Sequence, residues 1–584
     1  MFSYLNSITF IKAIKFCLYL LFFLFVIWSY YYFLNPLLGT TKKPQSFTFL
    51  SLLIESIWLV CIYLMLLILL GKPKSTYWIA IFFYITFLSA SVIKINFLNT
   101  PLMPIDLLQI DDLLRTEEVV LEYIGYFIVF LIITGLFIYF ILRNELANHY
   151  ARVVAMLSVI AIVILLFSFR EPIRLFLDSQ DMLIKKNTNL INRAARNGYL
   201  NYFFQAALLQ RKSITPIGFE MAKVDSIINK YNLNEPLTVS QNGQSADNVI
   251  VILAESFIDP NELGWQTSEK ILKNFNQLRS EHNAGYVIVP VYGGKSINSE
   301  FELMTGLSTL FTPIESLPYR EMVSESTPSL ASVLSSNGFI TNVVQLVPMN
   351  GFGFEKIYEY LGFDNVLSLI GSDIDKDPTG KYASSKVLAE KIIKFTKLQN
   401  KSFIYAFANT SHMPWKISDY PENTIELINN KNIREKTKNK IIAYFNALRH
   451  VEELLVILVD YFTNSNQNTL ILFVGDHHPS LKLAEYNKDD FLEYENYKVP
   501  YLIWQNYKSN DEHPFDSLIS MNFLAAKVLE KSNVSIKGFF KFNHMLMKKL
   551  KVVSRNYEFK SNLNHNQLEL FQEYEFFQHS ILSQ

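Results

Sequence analysis

Apolar residues fall along this chain in two rhythms, and the change between them divides it. Up to about residue 170 they form long uncharged runs over 16–34, 47–70, 77–92 (extending toward 95), 123–142 and 153–169. A helix that crosses a bilayer needs about 20 mostly apolar residues, so these runs predict five spanning helices. The first is too long and too rich in Trp and Tyr for a cleaved leader, and it lacks a small-residue cleavage site. From about Asp247 to Asn506 the runs shorten to strand length and alternate with amphipathic stretches. That pattern predicts an α/β domain with a mostly parallel central sheet. The expected strands are 249–253, 287–291, 340–344, 403–408, 469–474 and 501–504. The expected helices include 328–336, with Thr327 as its cap and Pro328 at its first position, 384–397 and 441–462.

The domains expected are a transmembrane domain over 1–170, linker helices over 171–244, a catalytic-type domain over 245–510 and its extension over 511–584. Along 197–209, Leu200, Phe203, Phe204 and Leu208 recur at helical spacing, as in a helix lying on the membrane or on the soluble domain. The last segment is expected to cover the sheet edge or to touch lipid headgroups, with its charges on a solvated helical face.

Basic residues in short loops set membrane orientation. A cytoplasmic N-terminus puts Lys12, Lys15, Lys72, Lys74, Arg143 and Arg152 inside, against Lys42, Lys43, Lys94 and Arg115 outside. Five spans then carry everything after residue 170 to the extracytoplasmic side. Glu55 and Lys94 fall near the outer face, where long charged side chains snorkel to the interface. Pro101 and Pro104 interrupt any continuous helix and predict an interfacial turn over 100–107.

Composition narrows the function. Lys plus Arg and Asp plus Glu both number 53, so no bulk basic field attracts nucleic acid. The two cysteines, Cys17 and Cys61, both lie in apolar runs. The polar half therefore has no disulfide and no thiolate metal site.

The candidate chemistry sits where expected strands end. Glu255 closes Asn248-Val-Ile-Val-Ile-Leu-Ala-Glu255, and Asp476-His477 closes Leu470-Ile-Leu-Phe-Val-Gly-Asp476. Glu255 and Asp476 are hard oxygen ligands suited to Mg²⁺ or Mn²⁺, and His477 adds an imidazole. Successive side chains on an extended segment point apart, so His477 is assigned to the metal and His478 to a neighbouring or substrate contact. Ser296 follows Gly293-Gly-Lys295 at the start of a helical stretch, where free N–H groups and a metal would activate its hydroxyl. The bland reading of Ser296 is a helix N-cap. Lys295 could offset phosphate charge. His412, after the strand at 403–408, could donate to a phosphoryl or leaving oxygen, and Trp415 could pack against a glycerol or sugar.

Taken together these elements resemble the lipoteichoic acid synthase and phosphoglycerol transferase branch of the alkaline phosphatase/sulfatase superfamily. The matching motifs are Ala254-Glu255-Ser256, Gly293-Gly-Lys-Ser296-Ile-Asn-Ser-Glu300-Phe301, Thr410-Ser-His412-Met-Pro414 and Gly475-Asp476-His477. Pro328-Ser-Leu-Ala331, Leu361-Gly-Phe-Asp364, Val499-Pro500 and the five-span anchor with Pro101-Leu-Met-Pro-Ile-Asp106 support them. The resemblance implies a sulfatase-like fold and one Mn²⁺ or Mg²⁺ held by Glu255, Asp476, His477 and the nucleophile. Serine stands at 296 where the family normally has threonine, and Gly353-Phe-Glu-Lys356 departs from the family's basic pattern. It further implies transfer of glycerol phosphate from phosphatidylglycerol, through a Ser296 adduct, to an envelope glycan or polymer. The setting implied is a bacterial inner membrane.

A sulfatase needs Pro and Arg after its nucleophile, and Ile297-Asn-Ser-Glu300 has neither. A phosphoethanolamine transferase shares the layout but often carries disulfides in its soluble domain. A non-catalytic membrane scaffold that keeps the fold is the reading from a different class, and the intact Glu, Ser, Asp and His set argues against it.

Overall fold

The computed structural model describes residues 49–583 apart from 99, 109–131, 133, 137, 140, 144, 181, 183–189, 210–214, 239–243, 314–315, 347–353, 369–373, 429–432, 482, 484–492, 508–517 and 558–559. The chain divides into two compact units, Met1–Arg211 and Lys212–Gln584.

In the first unit, α1 (Phe49–Leu70), α2 (Pro73–Leu98) and α4 (His149–Ser168) are long and apolar enough to cross a membrane. Their continuous Leu, Ile and Phe runs leave no polar face to break them, and Pro73 starts α2 where its missing N–H costs nothing. The expected first span lies outside the described residues, and of the fourth only scattered helical residues from 132 to 143 are described.

Two charges expected to snorkel do not. Glu55 is fully buried. It accepts hydrogen bonds from Tyr84 Oη (3.1 Å) and from the backbone N–H groups of Leu200 and Asn201 (both 3.0 Å). Those N–H groups open α6 (Tyr199–Leu209), whose positive end welcomes a carboxylate that would be costly alone in lipid. Lys94 is likewise buried, donating to Asp106 Oδ2 (2.8 Å) and Pro101 O (3.0 Å). Asp106 belongs to α3 (Pro104–Leu108), a short helix where the interfacial turn was expected. The apolar face of α6 packs on the spans, with Phe204 stacked on Trp58 at 4.3 Å and Phe203 edge-on to Phe87 at 5.3 Å. Helix α5 (Leu190–Asn197) precedes it.

The second unit is built on an eight-stranded sheet: β1 (Asn248–Ala254), β2 (Asn283–Ile288), β3 (Ile340–Gln345), β4 (Asn365–Ser368), β5 (Ser402–Ala408), β6 (Thr469–Gly475), β7 (Lys498–Gln505) and β8 (Ile519–Ser520). Their order is β4-β3-β5-β1-β6-β7-β2-β8, and β7 alone runs antiparallel to its neighbours. Every residue of β1 and β6 is buried, as unbroken Val/Ile/Leu runs require in a sheet covered on both faces. β2 starts and ends before the expected 287–291, because Pro290 cannot donate to a ladder. β8 pairs with β2, so the C-terminal segment does cover the sheet edge.

The helices of this unit include α7 (Ser296–Thr305), α8 (Leu330–Ser336), α9 (Ser385–Leu398) and α10 (Glu435–Thr463). Thr327 is not the cap of α8. Ser329 is, in a reciprocal capping box with Ser332, while the Thr327 hydroxyl accepts from Ser324 N in the preceding turn (3.0 Å).

Candidate active site

Adjacent strand ends place the acidic residues. β1 and β6 lie in parallel register with Ala254 opposite Gly475, so Glu255 and Asp476 leave the sheet at one level. β5 flanks β1 with Ala408 opposite Ala254 and sends out the loop that carries His412. The exits are tight. Ser256 adopts a left-handed φ of 48°, a strained value of the kind that clusters at functional sites. Its N–H donates to Asp476 Oδ1 and its hydroxyl to Glu255 Oε1, each at 2.7 Å.

Ser296 arrives by another route. Gly293, Gly294 and Lys295 take φ of 72°, 157° and 64°, a run of turn conformations that side chains rarely adopt. Gly293 N donates to His478 O (3.0 Å), which ties this turn to the end of β6. Ser296 is then the first residue of α7, and Lys295 at the N-cap makes no side-chain capping bond. Ser296 Oγ lies 3.2 Å from both Glu255 Oε2 and His477 Nε2. It is therefore the helix's first turn and not its cap, and its hydroxyl points at the acids.

His477 Nδ1 sits 2.9 Å from His478 O, and since a carbonyl only accepts, that nitrogen carries the proton. In the neutral ring the Nε2 lone pair then faces the cluster, 3.3 Å from Asp476 Oδ2 and 3.7 Å from Glu255 Oε1. The ligand atoms of Glu255, Asp476 and His477 all lie within 4.8 Å of one another, and all three residues are buried. Burial first, and the Glu255 charge second, push the Asp476 carboxyl well above the usual range. Burial acts the same way on Glu255, but the positive charge of the His477 and His412 rings in their protonated form, with the Ser256 and Ser296 hydroxyls, outweighs it and holds that carboxyl low. Asp476 Oδ2 is buried without a hydrogen-bond donor. Two buried carboxylates, an imidazole lone pair and an orphaned oxygen converging on one point are the environment a hard divalent cation satisfies.

The remaining expected residues are spread around this centre. His412 Nδ1 donates to Met413 O (2.7 Å) with Tyr382 Oη 2.9 Å away, which leaves Nε2 as its other functional nitrogen. Lys295 adjoins Ser296 through the turn. Trp415 is buried, donating from its indole to Ser411 O (2.9 Å) and packing on Tyr444 at 5.3 Å, so it braces the His412 loop from below. His478 is buried too, with Nε2 donating to Lys498 O (2.8 Å) and its ring stacked with Tyr292. Burial pushes it down to about 4, so it is neutral and serves as a wall of the site.

Sequence reasoning did not single out Tyr382, and it placed Ser256 and Ser299 in motifs without giving them a role; the Ser299 hydroxyl donates to Asp476 O (2.6 Å). Serine and tyrosine are common in loops, and their local spacing does not say which partner each hydroxyl meets.

The sulfatase family model matches residues 247–533. A putative cyclic beta-1,2-glucan modification protein of Rhizobium meliloti (strain 1021) is 25% identical over 333 residues, which is 54% of this chain. The match spans about half (50%) of that relative's length. Among solved structures, the Streptococcus pyogenes phosphoglycerol transferase GacH, in complex with sn-glycerol-1-phosphate, superposes with a TM-score of 0.55 at 22% identity, over 63% of this chain and 95% of that one. The lipoteichoic acid synthase LtaP from Listeria monocytogenes aligns with a TM-score of 0.41 at 17% identity, over 53% and 78%. The likeness to GacH is one of fold.

Proposed function

Because residues 247–533 belong to the sulfatase family, we propose that this chain is a membrane-bound, metal-dependent phosphoglycerol transferase. It takes glycerol phosphate from phosphatidylglycerol and passes it to a glycan or polymer of the cell envelope. The observation that carries the reading is the Ser296 hydroxyl held 3.2 Å from both Glu255 and His477. A nucleophile among metal-ligand residues suits phosphoryl transfer by a two-step displacement.

Glu255, Asp476, His477 and Ser296 would hold one Mn²⁺ or Mg²⁺. When bound, the ion supplies charge neutralisation at the phosphoryl oxygens and lowers the pKa of the Ser296 hydroxyl. Ser296 Oγ attacks phosphorus, the bond from phosphorus to the diacylglycerol oxygen breaks, and a glycerophospho-serine remains. His412 Nε2 hands a proton to the departing oxygen. An acceptor hydroxyl then attacks the same phosphorus, giving its proton to His412 Nε2, and the bond from phosphorus to Ser296 Oγ breaks. Lys295, next to the nucleophile, offsets phosphate charge. Trp415 and His478 support the walls.

The spanning helices of the first unit support a lipid donor, since they confine enzyme and lipid to one surface. A five-span topology with the sulfatase-like domain outside the cytoplasm suits a donor in the outer leaflet. The relative named for cyclic β-1,2-glucan modification favours a glycan acceptor.

Mass spectrometry of the purified full-length protein, incubated with phosphatidylglycerol and Mn²⁺, tests this reading. A glycerophosphate adduct on Ser296 with release of diacylglycerol is expected. Release from phosphatidylethanolamine alone would move the assignment to the other headgroup, and no adduct with either lipid would end it.

A further inference from the structure

α7 is buried on every side from Asn298 to Glu302, although four of those five residues are polar. Each polar side chain has its own tie. Asn298 Nδ2 donates to Ser316 O (3.2 Å) and Ser299 Oγ to Asp476 O (2.6 Å), while Glu302 Oε1 accepts from Thr309 N (2.7 Å) and Oγ1 (2.8 Å). Glu300 is different. It lies four residues after Ser296, one turn along the same helix face. The groups acting on it are tyrosines alone, from three separate elements: Tyr319 on the short helix Pro318–Glu321, Tyr358 on the helix Phe354–Tyr360 and Tyr405 on β5. Tyr358 Oη donates to Glu300 Oε1 at 2.9 Å. The hydroxyls of Tyr319 and Tyr405 are buried without a hydrogen-bond partner, near enough to this carboxyl to act on its charge.

This matters because the start of α7 is not held by a cap. The N-cap Lys295 takes φ of 64° and makes no side-chain capping bond, so ties along the helix body must set where the helix begins. Two ties lie on the face of Ser296: Ser299, bonded to the exit of β6, and Glu300, which reaches the opposite way into the tyrosines of three other elements. We infer that Glu300 is a positioning residue for Ser296, its carboxyl tied by the Tyr358 hydroxyl among three buried tyrosines so as to fix the rotation and height of α7 and hence the aim of the nucleophile. The inference rests on the phosphotransfer reading above.

Among the described residues no cation faces this carboxyl, so burial outweighs the tyrosine hydroxyls, which by themselves favour the charged form. Burial accordingly pushes Glu300 up to about 7. Above that value a charge appears in a dry site one turn below the nucleophile, where an uncompensated carboxylate is costly. Glutamine reproduces the neutral shape; an apolar side chain loses the tie.

The test uses full-length Glu300→Gln, Glu300→Met and Tyr358→Phe proteins, the last removing only a hydroxyl. Diacylglycerol release from phosphatidylglycerol is measured between about pH 5 and 9. In parallel, in a Ser296→Cys background, the alkylation rate of residue 296 by iodoacetamide is followed on its own peptide. A mispositioned nucleophile costs rate more than binding. Glu300→Met is therefore expected to lower kcat about 10-fold or more with KM within about 3-fold, and to change the alkylation rate by about 10-fold. Tyr358→Phe should fall between it and the parent. Glu300→Gln should stay within about 3-fold of the parent and lose the alkaline fall centred near 7. Unchanged kcat and alkylation in Glu300→Met and Tyr358→Phe would overturn the inference, as would a Gln variant as impaired as Met with its pH profile unaltered. If the parent protein releases no diacylglycerol, the phosphotransfer reading fails by itself, and the alkylation rates still decide the role of Glu300.

Discussion

Ser296 Oγ donates to Glu255 Oε2 across 3.2 Å, although 41 positions separate the two residues along the chain. One hydroxyl thus stands against a carboxylate that also belongs to the buried Glu255, Asp476 and His477 cluster. Ser296→Ala should reduce diacylglycerol release at least ~10³-fold, while Ser296→Thr, which keeps the hydroxyl, should retain most of it. Lipid assays on protein of matched fold, checked by circular dichroism, decide between these outcomes.

The convergence of Glu255, Asp476 and His477 leads to a stability prediction that needs no substrate. A cation that binds only the folded state stabilises by about 2.7 kcal/mol at a hundredfold excess over Kd. Mn²⁺ should therefore raise the Tm of the chelator-treated protein, and Asp476→Ala should abolish that rise. An equal rise in the variant would show that the ion binds elsewhere.

Glu302 gives a pH dependence. Burial pushes it up to about 7, even though it accepts two hydrogen bonds from Thr309. The neutral form is the one the fold favours. Between the ordinary value of about 4.5 and 7, the unfolded chain releases this proton while the folded protein keeps it, so stability falls as pH rises through that window. The full span is worth about 3 kcal/mol. Chemical denaturation of Glu302→Gln across the same window should show a shallower fall than the parent.

A Cβ on Gly475 would lie 2.1 Å from Phe257 O, a backbone atom that cannot rotate away. Gly475→Ala should cost about 2 kcal/mol or more and displace Asp476. A melting curve matching the parent's would contradict the packing described for this exit.

In the membrane unit, a Cβ on Gly198 would come within 2.1 Å of Glu55 Oε2. Gly198 also has a φ of 100°, open to glycine. Gly198→Ala and Glu55→Ala should each detach α6 from α1. Lower Tm in detergent and faster proteolysis near residue 200 are the expected results.

Much of this was legible in the sequence. An unbroken apolar run such as Asn248–Ala254 or Thr469–Gly475 becomes a buried strand, because its backbone needs a ladder and its side chains need cover. The polar residues that close those runs must emerge at the strand ends, and parallel pairing brings Glu255 and Asp476-His477 to the same end of the sheet. The apolar run over 47–70 predicts a helix long enough to cross a membrane, and the helix Phe49–Leu70 meets that length and composition.

Partnership was decided only in three dimensions. β4 and β8, of four and two residues, are too short to carry a periodicity and exist because β3 and β2 offer them open edges. Glu55 reads as an interfacial charge until a helix 145 residues later brings its N-terminus against it. Glu300 reads as an ordinary helical acid until three tyrosines from separate elements close around it. A side chain's own neighbours in sequence govern whether it lies on a helix, a strand or a turn. Its charge state and its task depend on groups brought from far along the chain, whose arrival is paid for by burial of the whole core and leaves no mark in local spacing.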